Sequence, residues 1–493
     1  MATMAAVDLG AQSGRVALGR YDGERLAVTE VHRFPNVPVQ TRGRLQWDVL
    51  RLFGDVVEGL RAAVREGGSL DSVGVDSWGV DFALLDRSGR LLQNPTHYRD
   101  RHRLDVAGRL HERVPGRELY ERTGIQLMPI NSIYELAALA ADRDPVLGIA
   151  HTLLLIPDLM HYWLGGRPVS ERTNATTTQF FDAHEGTWAV DLLERLEIPT
   201  GLLPEVVPPG TVLGELGEEL GLAGPAVIAP ATHDTGSAVA AVPFREPGSV
   251  YISAGTWSCV GLELDRPLID DRTFAANLTN EGGVAGTIRL LRNVTGLWLL
   301  HECRRAWELE GHAYAFDELV ALAHDAPVLR ALIDPDDPGF AQPGDMPRRI
   351  REYCAATGQD EPTEPASVVR CVLESIALGH ARVIRLLQDA TGQAPPEVHV
   401  VGGGAKNELL CRWTASAAGL PVLAGPAEAA EIGNLVVQAI ALGELASLDE
   451  ARELVRASFV PIEYEPEDSG EWREAWERFQ LLGEASKREE VGA

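Results

Sequence analysis

Lysine is almost missing: Lys406 and Lys487 are the only two in 493 residues. A G-x-x-x-x-G-K-[ST] phosphate loop, a protein-kinase V-A-I-K strand and a Schiff-base lysine all need a lysine, so nothing upstream of Lys406 can carry one. Lys406 itself, in G-G-G-A-K-N, is followed by neither Ser nor Thr. Positive charge is scarce as a whole, because 44 Lys and Arg stand against 72 Asp and Glu, a net charge of -28. That balance argues against nucleic acid or an anionic membrane as partner. Cysteine is sparse too, and Cys259, Cys303, Cys354, Cys371 and Cys411 form neither a C-x-x-C pair nor a zinc-ligand spacing. Free thiols and no structural metal site are expected, although Cys354 and Cys371 are near enough in sequence to pair. Long apolar runs are absent: 152–164 is broken by Pro157, Asp158 and His161, so no segment reads as a bilayer span. No charged-then-apolar leader precedes the strand-like sequence at Ala5, so the expected compartment is the cytoplasm.

What is present begins with length. A single core stops growing at roughly 250–300 residues, so two domains are expected. One hairpin pattern occurs twice. Residues 5–18 read AAVDLGAQSGRVAL and residues 249–262 read SVYISAGTWSCVGL, each an apolar strand, a small glycine-bearing turn and a second strand. Such turns let backbone N–H groups converge on an anion. We expect a first domain over 1–242, a hinge in P-F-R-E-P-G at 243–248, and a second domain over 249–488. Between the hairpins the pattern predicts helices near 47–66, 103–114, 134–142 and 156–164, a strand at 72–76, a turn and strand at 77–86, and a strand then a helix across 225–241. Later come a strand near 287–292, a helix near 296–309, an irregular proline-rich surface excursion over 333–365, a long helix at 366–390, a strand at 398–401 and a helix from Asn407. The charged segment 462–490 reads as a solvated helical cap. Strand–helix alternation with antiparallel hairpins makes both halves α/β.

Four stretches carry chemistry. Asp8 with Gly10 to Arg15 suits a phosphate loop whose Asp8 meets Mg²⁺ through water, with Arg15 as a source of positive potential; it equally suits a tight hairpin that needs glycine. Ala254 to Ser258 admits the same two readings. Val400 to Gly404 offers bare backbone against a flat ring, or simply a loop; it lacks the glycine at Asn407 that a dinucleotide fingerprint requires. Asp234, in His233-Asp234-Thr235, is the candidate base for a sugar hydroxyl attacking a γ-phosphorus, or else a helix N-cap. Gly74 to Phe82 sets Asp76, Trp78, Gly79 and Asp81 at a strand end, a composition suited to a polyol or to a turn with Trp78 in the core. Which of Asp76, Asp81 and Asp100 contacts a sugar stays open.

Taken in order, VDLGAQSGR, VDSWGVDF, TNATTTQ (173–179), THDT, SAGTWS, NLTNEGG (277–283), LRNVTGLWLL (291–300) and VVGGGAKN resemble the FGGY carbohydrate kinases over about residues 4–460. The resemblance implies two actin-like (ribonuclease-H-like) domains with an ATP and sugar cleft between them, and Mg²⁺-assisted transfer of the γ-phosphoryl of ATP to O1 of L-rhamnulose. It implies Asp234 as proton acceptor; Ala11, Gln12, Ser13, Gly14, Arg15, Thr256, His301 and Gly402 at ATP; Gly79, His233, Thr235 and Asn293 with Asp234 at the sugar; and Asp8 at the metal through water. Met128 to Tyr134 depart from the Lys-then-Trp of many family members, which weakens xylulose and glycerol as substrates. L-fuculose or D-xylulose remains the alternative acceptor. An actin-like ATPase without a sugar acceptor and a silent sugar sensor are the rival classes, and a monomer or homodimer is expected.

Overall fold

The computed structural model describes residues 1–222, 224–467 and 470–492. The chain divides into two compact units, 1–243 with 263–290 and 429–459, and 244–262 with 291–428 and 460–493. The units are therefore not two consecutive halves of the sequence, because the first also takes 263–290 and 429–459 from beyond the 243–248 stretch.

The first unit is built on a six-stranded sheet ordered Thr211–Glu215, Ala226–Ala229, Ser72–Ser77, Ala2–Leu9, Ser13–Tyr21, Leu26–Pro35. Ala2–Leu9 runs antiparallel to Ser13–Tyr21 and parallel to Ser72–Ser77, which is parallel in turn to Ala226–Ala229. Three antiparallel strands followed by two parallel ones is the order expected of a ribonuclease-H-like domain. The central strand Ala2–Leu9 is almost wholly buried, as a strand covered on both faces must be, which is why it reads as a continuous apolar run. Helix Val49–Gly67 packs on the antiparallel strands through Leu52, Val56, Leu60 and Ala63, and its first turn is capped by Asp48. Helix Ala429–Ala441 packs on Ala2–Leu9 and Ser72–Ser77, and also against helix Asp234–Ala240. A second core forms under the strand pair Phe82–Leu85 and Thr152–Leu155, from helices within 107–149 and residues 175–202. The helix foreseen near 103–114 is two, Arg101–Leu104 and Ala107–Arg113.

A second sheet, of seven strands, repeats the order: Thr279–Gly282, Ile288–Thr295, Trp257–Leu264, Val250–Ala254, Val398–Val401, Val422–Ala424, Ile462–Tyr464. Val250–Ala254 is antiparallel to Trp257–Leu264 and parallel to Val398–Val401, as in the first unit. The core of the second unit is organised by helix Pro365–Thr391, which starts with proline at a position that needs no N–H and ends at Gly392 with φ 71°.

Two expectations fail here. The 333–365 segment is not an irregular surface excursion, since it holds helix Met346–Ala356 and buries Phe340, Met346, Ile350 and Cys354. Pro347 opens that helix behind the Asp345 cap instead of breaking it. The 462–490 region is no solvated cap either. Ile462–Tyr464 pairs with Val422–Ala424, and helix Gly470–Gly492 buries Trp472, Ala475, Phe479 and Leu482, an apolar stripe at three- to four-residue spacing. All five cysteines are free and buried. Among the described residues no helix is long and apolar enough to cross a membrane.

Candidate active site

In the first unit the parallel register sets Asp8 beside Asp76, and the antiparallel register sets Asp8 beside Arg15. Arg15 pairs with Asp8 at 3.1 Å and with Glu431 of helix Ala429–Ala441 at 2.8 Å. Its charge is thus already engaged by two buried carboxylates, so it is not the free source of positive potential that the sequence suggested. Asp76 accepts from Asn434 Nδ2 at 2.6 Å, while its Oδ1 is buried without a hydrogen-bond partner. Gln438 donates to Asn434 Oδ1 at 2.6 Å and to the Ala5 carbonyl at 3.0 Å, and Ser72 donates to Gln438 at 2.6 Å. Gly74 is required beneath this network, because a Cβ there would lie 2.7 Å from Asn434 Oδ1.

Burial, and then the charge of Glu431, push Asp8 up from 3.8 to about 7, against the pull of Arg15. Burial and the neighbouring Asp8 likewise raise Asp76. Three acids around one arginine leave an excess of negative charge. No group of three His, Cys, Asp or Glu among the described residues is arranged to hold a metal directly. The orphaned Asp76 oxygen and the strained ionisation of Asp8 fit a hydrated divalent cation met through its water.

The turn after Asp8 closes on itself: Gly10 N–H donates to the Ser13 carbonyl at 3.0 Å, and Asn36 holds the Gly10 carbonyl at 2.9 Å. Gly14 lies under the Phe34 ring, where a Cβ would approach to 2.3 Å. Ala11, Gln12 and Ser13 remain at the surface of the unit.

Asp234 is the first residue of helix Asp234–Ala240, and His233 occupies the cap position without a side-chain cap bond. The N-cap reading of Asp234 is therefore not the arrangement found. Its Oδ1 takes the Thr235 N–H at 2.5 Å and the Thr235 hydroxyl at 3.2 Å, and the side chain is 30 % exposed. Burial disfavours its charged form and moves its pKa above the usual carboxylate range, and His233 opposes that. The turn is held from below by Glu171, which accepts from Thr232 N and Oγ1 at 2.8 and 2.9 Å and from Thr173 N at 2.8 Å. Thr173 Oγ1 then accepts from His233 N at 3.2 Å. The TNATTTQ stretch thus serves as the mount for THDT.

Gly79 sits where Thr177 approaches, and a Cβ there would be 2.9 Å from Thr177 Oγ1. Trp78 is buried against Trp47, and both indoles donate to Asp81, at 3.0 and 2.6 Å. Asp81 also holds Arg103 at 2.7 Å. Asp100 takes Arg44 at 3.1 Å and Leu45 N at 2.6 Å. Asp81 and Asp100 therefore spend their acceptors on the protein, and Asp76 belongs to the Asp8 cluster.

In the second unit the second turn gathers a matching set. Gly255 and Thr256 carbonyls accept from Leu297 N at 2.9 Å and Trp298 N at 3.1 Å, which opens helix Trp298–Leu309. Gly296 permits this, since a Cβ there would meet Gly255 O at 2.8 Å. His301 lies on that helix, its ring 6.0 Å from Phe316, and burial lowers its basicity. Gly402, at φ 79°, and Gly404 bring their backbone against Ala254. Asn293 Oδ1 accepts from Cys259 Sγ at 3.0 Å. Thr256, Asn293, His301 and Gly402 are thus placed in the second unit; Asp8, Ala11 to Arg15, Gly79, His233, Asp234 and Thr235 are in the first.

Sequence reasoning missed Glu431, Asn434 and Gln438, and also Glu171, Glu281 and Arg289. The first three had a signal: spacings of three and four put them on one face of an otherwise apolar helix. Glu281 lay inside NLTNEGG with no role attached.

Comparison with known proteins gives one consistent result. The N-terminal domain of the FGGY family of carbohydrate kinases matches residues 3–240, and its C-terminal domain matches 250–442. The chain is 42% identical over 478 residues to a protein named rhamnulokinase from Bacteroides thetaiotaomicron, covering 96% of this chain and 98% of that one. It is 40% identical to the rhamnulokinase of Pectobacterium carotovorum, covering 97% and 96%. Among solved structures, a ligand-bound xylulose kinase from Lactobacillus acidophilus aligns with TM-score 0.81 at 18% identity over 99% and 98% of the two chains. A Plasmodium falciparum glycerol kinase with ADP aligns with TM-score 0.77 at 16% identity over 99% and 98%. At such identities the structures establish the shared fold.

Proposed function

The chain belongs to the FGGY family of carbohydrate kinases, and from that premise we propose that it transfers the γ-phosphoryl group of ATP to O1 of L-rhamnulose, releasing ADP and L-rhamnulose 1-phosphate. The observation that carries the chemistry is Asp234: a partly exposed carboxylate at a helix start, mounted on the Glu171 network and of raised basicity. The acceptor sugar is carried by the full-length likeness to proteins named rhamnulokinase.

In this reading residues 1–242 carry the sugar site, the first phosphate turn and the catalytic acid; 249–488 carry the second turn and the adenosine site; 243–248 act as hinge. Asp234 accepts the proton of the O1 hydroxyl as its oxygen attacks the γ-phosphorus, a contribution of about 10²–10⁴ in rate. Ala11 to Arg15 with Thr256, His301 and Gly402 bind ATP, and Gly79, His233, Thr235 and Asn293 orient the ketose. Asp8 and Asp76 would hold, through its water, the divalent cation that accompanies ATP, Mg²⁺ in this proposal, which would supply neutralisation of phosphate charge. Consumption of ATP and a free ketose suits the cytoplasm.

The test is ADP release with Mg-ATP and L-rhamnulose, L-fuculose, D-xylulose or glycerol. Strong stimulation by L-rhamnulose above the others is expected. Stimulation by another ketose would overturn the substrate, and a sugar-independent ATPase would overturn the kinase reading.

A further inference from the structure

Two adjacent side chains in the first unit could take a proton from a sugar hydroxyl, His233 and Asp234, and their polar atoms are 3.5 Å apart. We infer that Arg289 and Glu281 are positioning residues that decide between them by fixing His233 as a hydrogen-bond donor toward the sugar, which leaves Asp234 as the base. The inference rests on the kinase reading above.

Arg289 is fully buried, and its Nε donates to the Gly282 carbonyl at 2.9 Å. Its Nη2 lies 3.1 Å from His233 Nδ1 and 3.2 Å from Glu281 Oε2. A guanidinium has only donors and does not deprotonate in proteins. Nδ1 faces Arg289 Nη2 at 3.1 Å and Glu281 Oε2 at 3.2 Å; with that oxygen paired to the guanidinium, the neutral ring in this inference accepts from Arg289 at Nδ1 and carries its proton on Nε2. Nε2 is the nitrogen on the Asp234 side. Its lone pair is gone and that of Nδ1 is spent, so the neutral imidazole has no free acceptor and serves as a donor. Asp234 has the opposite character: its carboxylate is partly open, and its Oδ1 takes two donors from Thr235.

Glu281 has two roles in this arrangement. It pairs with Arg289, so that a fully buried cation is not left alone. It also stands 3.2 Å from His233 Nδ1, where it would accept a proton if Arg289 were removed. The ring would then turn into the other tautomer, Nδ1–H toward Glu281 with the Nε2 lone pair facing the substrate side. That is a carboxylate–imidazole base competing with Asp234. With Arg289 in place, the O1 proton passes to the Asp234 carboxylate. The O1–phosphorus bond forms while the bond from the γ-phosphorus to its bridging oxygen breaks, and ADP leaves with that electron pair. The proton is lost to water from the exposed edge of Asp234.

The experiment is ¹⁵N NMR of the full chain labelled at histidine, without nucleotide or sugar, with the His233 signals identified by their loss in His233→Gln. The expected wild-type result is a protonated Nε2 and an unprotonated Nδ1. Arg289→Met should move the proton to Nδ1, and Arg289→Lys, which keeps a donor, should preserve the wild-type pattern. In steady-state kinetics Arg289→Met should raise the KM for sugar roughly tenfold, the loss of about one hydrogen bond, and leave the KM for ATP unchanged. A wild-type ring protonated at Nδ1, or an Arg289→Met ring with the wild-type pattern, overturns the inference. The NMR readout needs no substrate, so it stands apart from ADP release, whose failure would count against the kinase reading instead.

Discussion

Asp8 sets stability against function, and the antagonism can be measured without any substrate. Its carboxyl is moved from 3.8 to about 7, by burial first and Glu431 second. The unfolded chain releases this proton near pH 4, whereas the folded protein keeps it to about pH 7. Over that window the folded state binds the extra proton, so stability falls as pH rises. The contribution is complete below about pH 4 and gone above about pH 7. A shift of about three units at ~1.4 kcal/mol each is about 4 kcal/mol. Asp8→Asn removes the charge in a side chain of nearly the same shape. Asp76 and Glu431 take up part of the relief, so the metal-free variant should be about 2–4 kcal/mol more stable than the parent at pH 8 and about 1 kcal/mol more stable at pH 5, only about one unit above the unfolded value. For a unit of roughly 300 residues, at ~2 cal/mol/K per residue of unfolding entropy, that is a Tm gain of about 3–6 °C. The assay is calorimetry in chelator at pH 5, 6.5 and 8. Parallel Tm curves for the two proteins, or a variant less stable at pH 8, would refute the reasoning. Phosphoryl transfer by the variant should be lost.

Asp234→Asn should lower kcat for sugar phosphorylation by about 10²–10⁴ with little change in the KM for ATP, read by coupled ADP release. Gly433→Ala should cost about 2–3 kcal/mol in urea denaturation, because a Cβ there would lie 1.7 Å from the Ser237 carbonyl oxygen and force helices 429–441 and 234–240 apart. Gly54→Ala is its control: the glycine is also helical, nothing stands within 4 Å of the added Cβ, and the change should stabilise by up to about 1 kcal/mol.

The duplicated hairpins were legible because a glycine-bearing turn between two apolar strands is a local pattern, and both stand where they were expected. The strand-to-helix junction at Asp234 was legible for the same reason. The second half was harder wherever proline or charge dominated. In 345–356 a proline that reads as a breaker is a helix start, and in 470–482 four apolar residues hide among charges that face water. The composition of Gly74 to Phe82 suited either a polyol or a turn with Trp78 in the core; Trp78 is buried, and Asp81 ties Trp47, Trp78 and Arg103 together.

The sequence alone determined the class of each layer, the two turns, the family resemblance and the candidate base, since these depend on residues adjacent in the chain. Tertiary structure decided what each of those groups is able to do. Arg15 is spent on Glu431, which lies more than four hundred positions away, and Asp8 is pushed upward by the same residue. His233 takes its proton pattern from Arg289, and Asp81 becomes structural through Arg103. Charge state and hydrogen-bond polarity are sums over neighbours in space, and a buried group weighs each neighbour heavily because no water screens it.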